Sequence, residues 1–426
     1  MKILRKPKEI KAFLALLRER ASGGTGAVEE TVRKILSEVK HKGDRAVLSY
    51  TRKFDSLKTG TLRMTAAEIS KHANKADRKI VKSLELSAKR IRAFHEMQKE
   101  ESWSFWEGDT LLGQMVRPLE RVGVYVPGGK ASYPSSVLMN VIPAQVAGVD
   151  EIALCVPTPG NEISPYVMAA IRMLGVREVY RIGGAQAVAA MAYGTESMRR
   201  VDKIVGPGNI YVATAKKLVF GLVDIDMIAG PSEVLVIADR SADPAFAAAD
   251  LLSQAEHDEF ASAVLITDSM ALAKEVQMQV RDQLSRLKRM VIAEKSVSAY
   301  GAIIVTKDLM KAVKLANEIA PEHLEVLMEK PFDLLPSIRN AGAIFLGPWT
   351  PEPLGDYVAG PNHTLPTGGT ARFSSPLGVY DFMKRSSLLS FSRQGFMTLA
   401  KTVLTLSEIE GLSAHGNAIR VRHEKR

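Results

Sequence analysis

Twice along this chain, short apolar runs alternate with helix-patterned segments, and that leaves few folds open. Runs rich in Val and Ile fall at 122–126, 152–156, 178–182 and 203–205, with Ala-rich helical stretches at 137–147 and 166–174 between several of them. A second series follows at 234–238, 263–267, 302–305, 324–328 and 343–346, separated by helical stretches at 243–255, 271–290 and 309–319. Parallel strands joined by helical crossovers are covered on both faces, so they read as continuous apolar runs rather than as alternation. The pattern predicts an α/β fold of two Rossmann-like, doubly wound units, with a boundary near Gly230-Pro231. The first hundred residues read as helical, at 28–42 and 66–101, and a polar tail follows about residue 377. Ligands of open α/β sheets sit beyond the carboxyl ends of the strands, so the loops after the strands are the places to look for chemistry.

At 426 residues the chain is longer than one compact domain usually is, and 46% hydrophobic with 24% charged residues places it among ordinary globular proteins. The apolar stretch at 12–17 is short, ends in Arg18-Glu19-Arg20 and lacks a small-residue cleavage site, so no signal peptide is read and a cytoplasmic protein is expected. No window reaches the roughly 18 uninterrupted apolar residues of a membrane span. The single cysteine, Cys155, lies in a run expected to be a buried strand and is read as a packing residue. The net charge of +10 gathers at the two termini and in helical stretches such as 71–92, without a nucleic-acid-binding motif; no nucleic-acid partner is expected.

Three Gly-rich loops follow strands: Val126-Pro-Gly-Gly-Lys130, Ile182-Gly-Gly-Ala-Gln186 and Val205-Gly-Pro-Gly-Asn209. None is a dinucleotide fingerprint or a phosphate loop, and each serves equally well as a tight turn or as a cofactor contact. Gln254 and His257 are three residues apart in a helical stretch, so they share a face and could hold a borderline cation such as zinc; a pair without a ligand role is the alternative. Asp356 and His363 add polar groups on a segment read as too rich in Gly and Pro for helix. Glu322-His323 reads as an acid/base pair, or as a capping glutamate beside a surface histidine. His415 lies in the tail, and His41, His72, His95 and His423 fall in charged stretches expected to be exposed.

Eight segments in order resemble one family over essentially the whole chain: Gly123-Val-Tyr-Val-Pro-Gly-Gly129, Gly206-Pro-Gly-Asn209, Ala229-Gly-Pro-Ser-Glu233, Ser253-Gln-Ala-Glu-His-Asp258, Ala320-Pro-Glu-His-Leu324, Gly360-Pro-Asn-His363, Asp381-Phe-Met-Lys-Arg385 and Glu410-Gly-Leu-Ser-Ala-His415. Each is weak alone. Together they resemble the histidinol dehydrogenases.

The resemblance implies an NAD-dependent, four-electron oxidation of L-histidinol through L-histidinaldehyde to L-histidine, the last step of histidine biosynthesis. It implies one zinc per subunit held by Gln254, His257, Asp356 and His415 of the partner subunit, in a homodimer that exchanges its C-terminal tails. Ser232, His363 and Glu410 would help these residues and His323 hold the substrate, and Tyr125, Gln186 and Asn209 would contact NAD. His323 would take the hydroxyl proton, and Glu322 would activate water for the second oxidation. The implied organisation is an N-terminal helical segment (1–21), an α/β domain carrying metal and catalytic residues (22–120 with 232–377), an inserted α/β domain contributing NAD contacts (121–231), and a tail (378–426) reaching the partner subunit. Relatives that oxidise other polar alcohols, such as a sulfonated propanediol, are the alternative within the enzyme class, and a non-catalytic zinc-binding module is the alternative outside it.

Overall fold

The computed structural model describes residues 1–22, 26–128 and 133–424. Gly129 and Lys130 of the first Gly-rich loop lie outside the described residues. A short strand β1 (Lys2–Leu4) is followed by helices α1 (Pro7–Ser22), α2 (Gly26–Lys42), α3 (Asp44–Asp55), α4 (Ala66–Ala73) and α5 (Arg78–Glu96). The single helix expected at 66–101 is two helices, because each half carries its own start signal. Thr65 and Glu68 form a reciprocal capping box on α4, and the Asp77 carboxylate accepts the Lys79 and Ile80 amides to start α5.

Strands β2 (Trp103–Glu107) and β3 (Thr110–Pro118) come next. The first parallel sheet follows as β4 (Arg121–Tyr125), α6 (Pro134–Ala147), β5 (Glu151–Cys155), α7 (Pro165–Met173), β6 (Glu178–Tyr180), α8 (Gly184–Tyr193), β7 (Lys203–Val205), α9 (Ile210–Val219) and β8 (Asp224–Ile225). The second follows as β9 (Glu233–Ala238), α10 (Pro244–Ala255), β10 (Ser262–Thr267), α11 (Met270–Leu284), α12 (Met290–Ala299), β11 (Gly301–Val305), α13 (Leu309–Ile319), β12 (His323–Leu327), β13 (Ala343–Leu346) and α14 (Glu352–Tyr357). The chain ends with β14 (Met383–Phe391), α15 (Arg393–Ile409) and α16 (Ser413–His423).

The first sheet has the order β6-β5-β4-β7-β8, and the second the order β1-β11-β10-β9-β12-β13, with every pairing in both parallel. Apart from β1, both have the same doubly wound topology, with a switch point between β4 and β7 in one and between β9 and β12 in the other. The expected α/β architecture is therefore present. β1 corrects one detail: the N-terminus, read as helical, starts with an edge strand paired to β11.

Every residue of β9 and β10 is buried, because α1 and α13 pack on one face of the second sheet and α10, α11 and α12 on the other. Around the first sheet the N-terminal helices add an outer layer, α2 against α8 and α9, and α4 and α5 against α7 and α6. That is why α8 is buried nearly all round and has no polar face. Cys155 is fully buried at the end of β5, as expected, and burial alone pushes its thiol pKa up. His95 differs from expectation: it is fully buried, and its Nδ1–H donates to the Ile91 carbonyl at 2.8 Å.

Residues 1–98 with 120–382 form one compact unit, and residues 99–119 with 383–426 form a second. The second is an antiparallel sheet of order β14-β3-β2 with α15 and α16. The tail read as polar is thus a strand and two helices. Arg385 on β14 makes a two-pronged ion pair with Glu100 inside this unit. Among the described residues no helix is long and apolar enough to cross a membrane.

Candidate active site

Glu322 and His323 stand at the amino edge of the second sheet, where β12 begins beside β9. The chain enters β12 through Ala320 in the left-handed region (φ 53) and Pro321, a turn that stops α13 and directs both side chains onto the edge. The backbone of one residue, Glu233, holds the two of them. The Glu233 amide donates to Glu322 Oε2 at 2.9 Å, and the His323 Nδ1–H donates to the Glu233 carbonyl at 2.9 Å. Nδ1 is thereby committed as a donor, and the buried Nε2, which has no hydrogen-bond partner among the described residues, is the basic nitrogen.

The helix α10 runs back along the sheet, so its C-terminal end returns to the same edge. Asp243 caps its start with Pro244 in the first turn. Gln254 is 1% exposed near its end, and its Oε1 has no partner among the described residues. His257 was expected on a helical face; it lies just past the helix end, its amide bonded to the Gln254 carbonyl at 3.1 Å. Asp356 also differs from expectation, since its segment is the short helix α14 rather than loop. The prolines at 351 and 353 fall at its cap and first turn, where a missing N–H costs nothing.

His257, Asp356 and Glu352 place potential ligand atoms within 4.8 Å of one another. Glu352 was missed by the sequence reading. It is 1% exposed, its Oε1 is unpartnered among the described residues, and its Oε2 accepts the Ser253 hydroxyl at 3.2 Å. His323 Nε2 lies 3.8 Å from Asp356 Oδ1 and 4.0 Å from Glu352 Oε1, joining the acid/base pair to this cluster. His363 extends it: Nδ1–H donates to the Asp356 carbonyl at 3.0 Å, and Nε2 lies 3.5 Å from the hydroxyl of Ser136 in α6. Half-buried Ser232 immediately precedes Glu233.

Burial sets the protonation states. It pushes the Glu322 carboxyl well above the usual range, helped by the nearby Glu233, Asp356 and Glu352 charges and opposed by the Glu233 amide. It pushes Glu352 up to about 8, with Asp356 the next cause, and Asp356 up to about 6. The same burial lowers His323 and His363 to about 4, so both are neutral at pH 7.

The residues read as NAD contacts gather at the carboxyl edge of the first sheet. Tyr125 ends β4, and its hydroxyl accepts the Gly184 amide at 3.1 Å. Gln186 is 1% exposed in the first turn of α8, and neither atom of its amide has a partner among the described residues. The Asn209 side-chain Oδ1 caps α9 by accepting the Tyr211 and Val212 amides, which is a structural duty. Gly206, at φ +114, brings the strand ends together: a Cβ there would lie 2.0 Å from the Tyr125 carbonyl oxygen.

The residues read as cofactor contacts therefore lie after the strands in the first sheet, and those read as the acid/base pair lie before them in the second. Glu410, which caps the end of α15, and His415, in α16, belong to the second unit.

Two doubly wound sheets, an oriented glutamate–histidine pair and a cluster of potential metal donors describe an α/β enzyme. A family model described as histidinol dehydrogenase matches residues 18–423. The histidinol dehydrogenase of Syntrophotalea carbinolica is 60% identical over 93% of this chain and 92% of its own length. That of Aquifex aeolicus is 56% identical over 92% of each. The crystal structure of histidinol dehydrogenase from Elizabethkingia anophelis superposes with a TM-score of 0.94 at 35% identity, covering 100% of this chain and 98% of that one. The chain belongs to the histidinol dehydrogenase family, and its activity is that of a histidinol dehydrogenase. Neither a different alcohol substrate nor a non-catalytic metal module finds support in these likenesses.

Proposed function

We propose that the protein oxidises L-histidinol to L-histidine in two successive steps at one site, using one zinc per subunit and NAD. The observation that carries this reading is the His323 ring, fixed by Glu233 with its free nitrogen facing the His257, Glu352 and Asp356 donors. The donor chemistry fits zinc: a neutral imidazole, carboxylates and the orphaned amide oxygen of Gln254, with His415 of the partner subunit completing the set. The orphaned Gln186 amide, beside Tyr125 and Asn209, fits a polar dinucleotide. When bound, zinc orients the imidazole and amine of histidinol, and NAD accepts a hydride in each step.

The chain's own residues move the protons. His323, neutral at pH 7, accepts the hydroxyl proton at Nε2 as the alcohol becomes the aldehyde. Glu322, with its carboxyl made more basic by burial, removes a proton from the water that adds to the aldehyde. Ser232, His363 and Glu410 hold the substrate's polar groups. Keeping the aldehyde in a closed site prevents its loss between the steps.

The C-terminal tail supports a homodimer with exchanged tails. The second unit exposes Trp106 at 66%, Leu389 at 63%, Leu406 at 54% and Ile409 at 77%, more apolar surface than a small solitary unit leaves open. A second copy of the chain would cover it. A biosynthetic role of this kind fits a cytoplasmic protein.

The decisive measurement is NADH formed per histidinol consumed in excess NAD, before and after a chelator removes metal and zinc is restored. Two NADH per histidinol, lost on chelation and recovered with zinc, is the expected result. No NADH from histidinol in zinc-loaded protein would overturn the reading.

A further inference from the structure

Arg20 lies on α1, far in sequence from every residue given a role above, yet its side chain is 1% exposed at the amino edge of the second sheet. Its guanidinium forms a buried ion pair with the Glu233 carboxylate. A second prong donates to the Phe260 carbonyl at 2.6 Å and lies 3.4 Å from the Ser232 carbonyl. The Tyr300 ring packs below it, 5.7 Å from the guanidinium carbon. Ser232 and Glu233 are thus gripped by backbone and side chain at once.

The residue held this way orients both acid/base groups, through its backbone amide to Glu322 and its backbone carbonyl to His323. At this edge those two side chains take the backbone hydrogen bonds of Glu233. A shift of Glu233 therefore moves both groups together. We propose that Arg20 is a positioning residue for the oxidation: by clamping Ser232 and Glu233, it sets where Glu322 and the His323 ring point. This rests on the reading of those two residues as the acid/base pair.

A planar, forked cation is what the geometry requires, since one group must meet a carboxylate and main-chain carbonyls together. A lysine supplies a single point charge on a flexible stem and meets these partners less well. Losing the clamp should lower turnover while leaving the metal donors on α10 and α14 and the dinucleotide edge of the first sheet in place.

The test compares Arg20→Met, Arg20→Lys, Glu233→Gln and the double variant Arg20→Met/Glu233→Gln, each with measured zinc content and melting temperature. Turnover per folded, zinc-loaded site is recorded separately with histidinol and with histidinal. Arg20→Met should lower kcat for both by roughly tenfold to a hundredfold, the scale of a small misplacement of reacting groups, with the KM for NAD and zinc content unchanged. Arg20→Lys should recover part of this. The double variant should be no slower than Arg20→Met alone, because the two side chains act through each other. A lower melting temperature with unchanged kcat would reduce Arg20 to a fold anchor and overturn the proposal. If Arg20→Met does not fold, the double variant, which leaves no buried unpaired charge, decides: wild-type kcat there overturns the proposal. Glu322→Gln and His323→Asn run alongside. Unchanged turnover in those controls would overturn the acid/base reading and this inference with it, whereas inactive controls beside a normal Arg20→Met enzyme would overturn the inference alone.

Discussion

Glu322 and His323 share the backbone of Glu233 as hydrogen-bond partner, yet burial moves their pKa values in opposite directions, the carboxyl up and the imidazole down to about 4. At pH 7 this leaves the imidazole neutral with Nε2 open to a proton, and favours the protonated form of the buried carboxyl, which is the stronger base once ionised. Glu322→Gln keeps the shape and the acceptor for the Glu233 amide but cannot take a proton from water. Oxidation of histidinal should fall by at least the ~10²–10⁴-fold that general base catalysis supplies, with histidinol binding retained. Acid formation at the wild-type rate would remove Glu322 from this role. The metal donors make a second prediction. With Glu352 pushed up to about 8 and Asp356 to about 6, the metal-free site holds a proton at pH 7, so zinc binding should release about one proton per site. Calorimetry in buffers of different ionisation enthalpy reads this directly, and Glu352→Gln should abolish most of it. The sign for stability follows. These carboxyls bind protons more tightly folded than unfolded, so their contribution is complete below the ordinary carboxylate range and disappears as pH rises through about 8. The metal-free protein should lose melting temperature over that range, and the zinc-loaded protein should not.

At the scale of elements, the parallel strands were legible because helices cover both faces and force continuous apolar runs, as in Glu233–Ala238 and Ser262–Thr267. β1 is only three residues long, and its partner β11 is 300 residues away in sequence, beyond any local pattern. β14 mixes Lys, Arg and Ser with Leu and Phe, and its exposed residues hide the strand. Gln254, His257 and Asp356 stood out as donor types, but Glu352 did not: a glutamate in Thr-Pro-Glu-Pro reads as surface until α14 turns it against Ser253 of α10. The amino-edge location was equally hidden, because the rule for open sheets points to the opposite end. One element makes a direct prediction. Buried Lys216 on α9 pairs with Asp226 and donates to the Gly206 carbonyl at 3.0 Å, while Asp226 accepts the Gly206 amide at 2.7 Å, so one ion pair pins the loop after β7. Lys216→Met leaves a buried carboxylate unpaired and should cost about 3–5 kcal/mol in denaturant unfolding, with a raised KM for NAD. Adding Asp226→Asn should restore part of the stability.

For the whole molecule, the question is which chain completes which site. Glu322 lies in the larger unit and His415 in the smaller one. If tails are exchanged, every active site combines Glu322 of one chain with His415 of the partner subunit. Each variant dimer, His415→Asn or Glu322→Gln, should be nearly inactive by itself. Co-refolding the two then separates the arrangements. With exchange, the chain carrying His415→Asn keeps its own Glu322 and receives a normal tail from the Glu322→Gln chain, so each mixed dimer has one complete site and one doubly defective site. Without exchange, every site in the mixture retains one defect and activity stays at the level of the parents. Recovered NADH formation in the mixture, absent when the two variants are refolded separately and then combined, is the expected result. The exposed apolar surface of the second unit sets the companion test: Leu406→Asp puts a charge where the partner would pack, and on the exchanged-tail proposal should yield monomer in sedimentation together with loss of zinc, because a chain alone would lack His415 of the partner subunit.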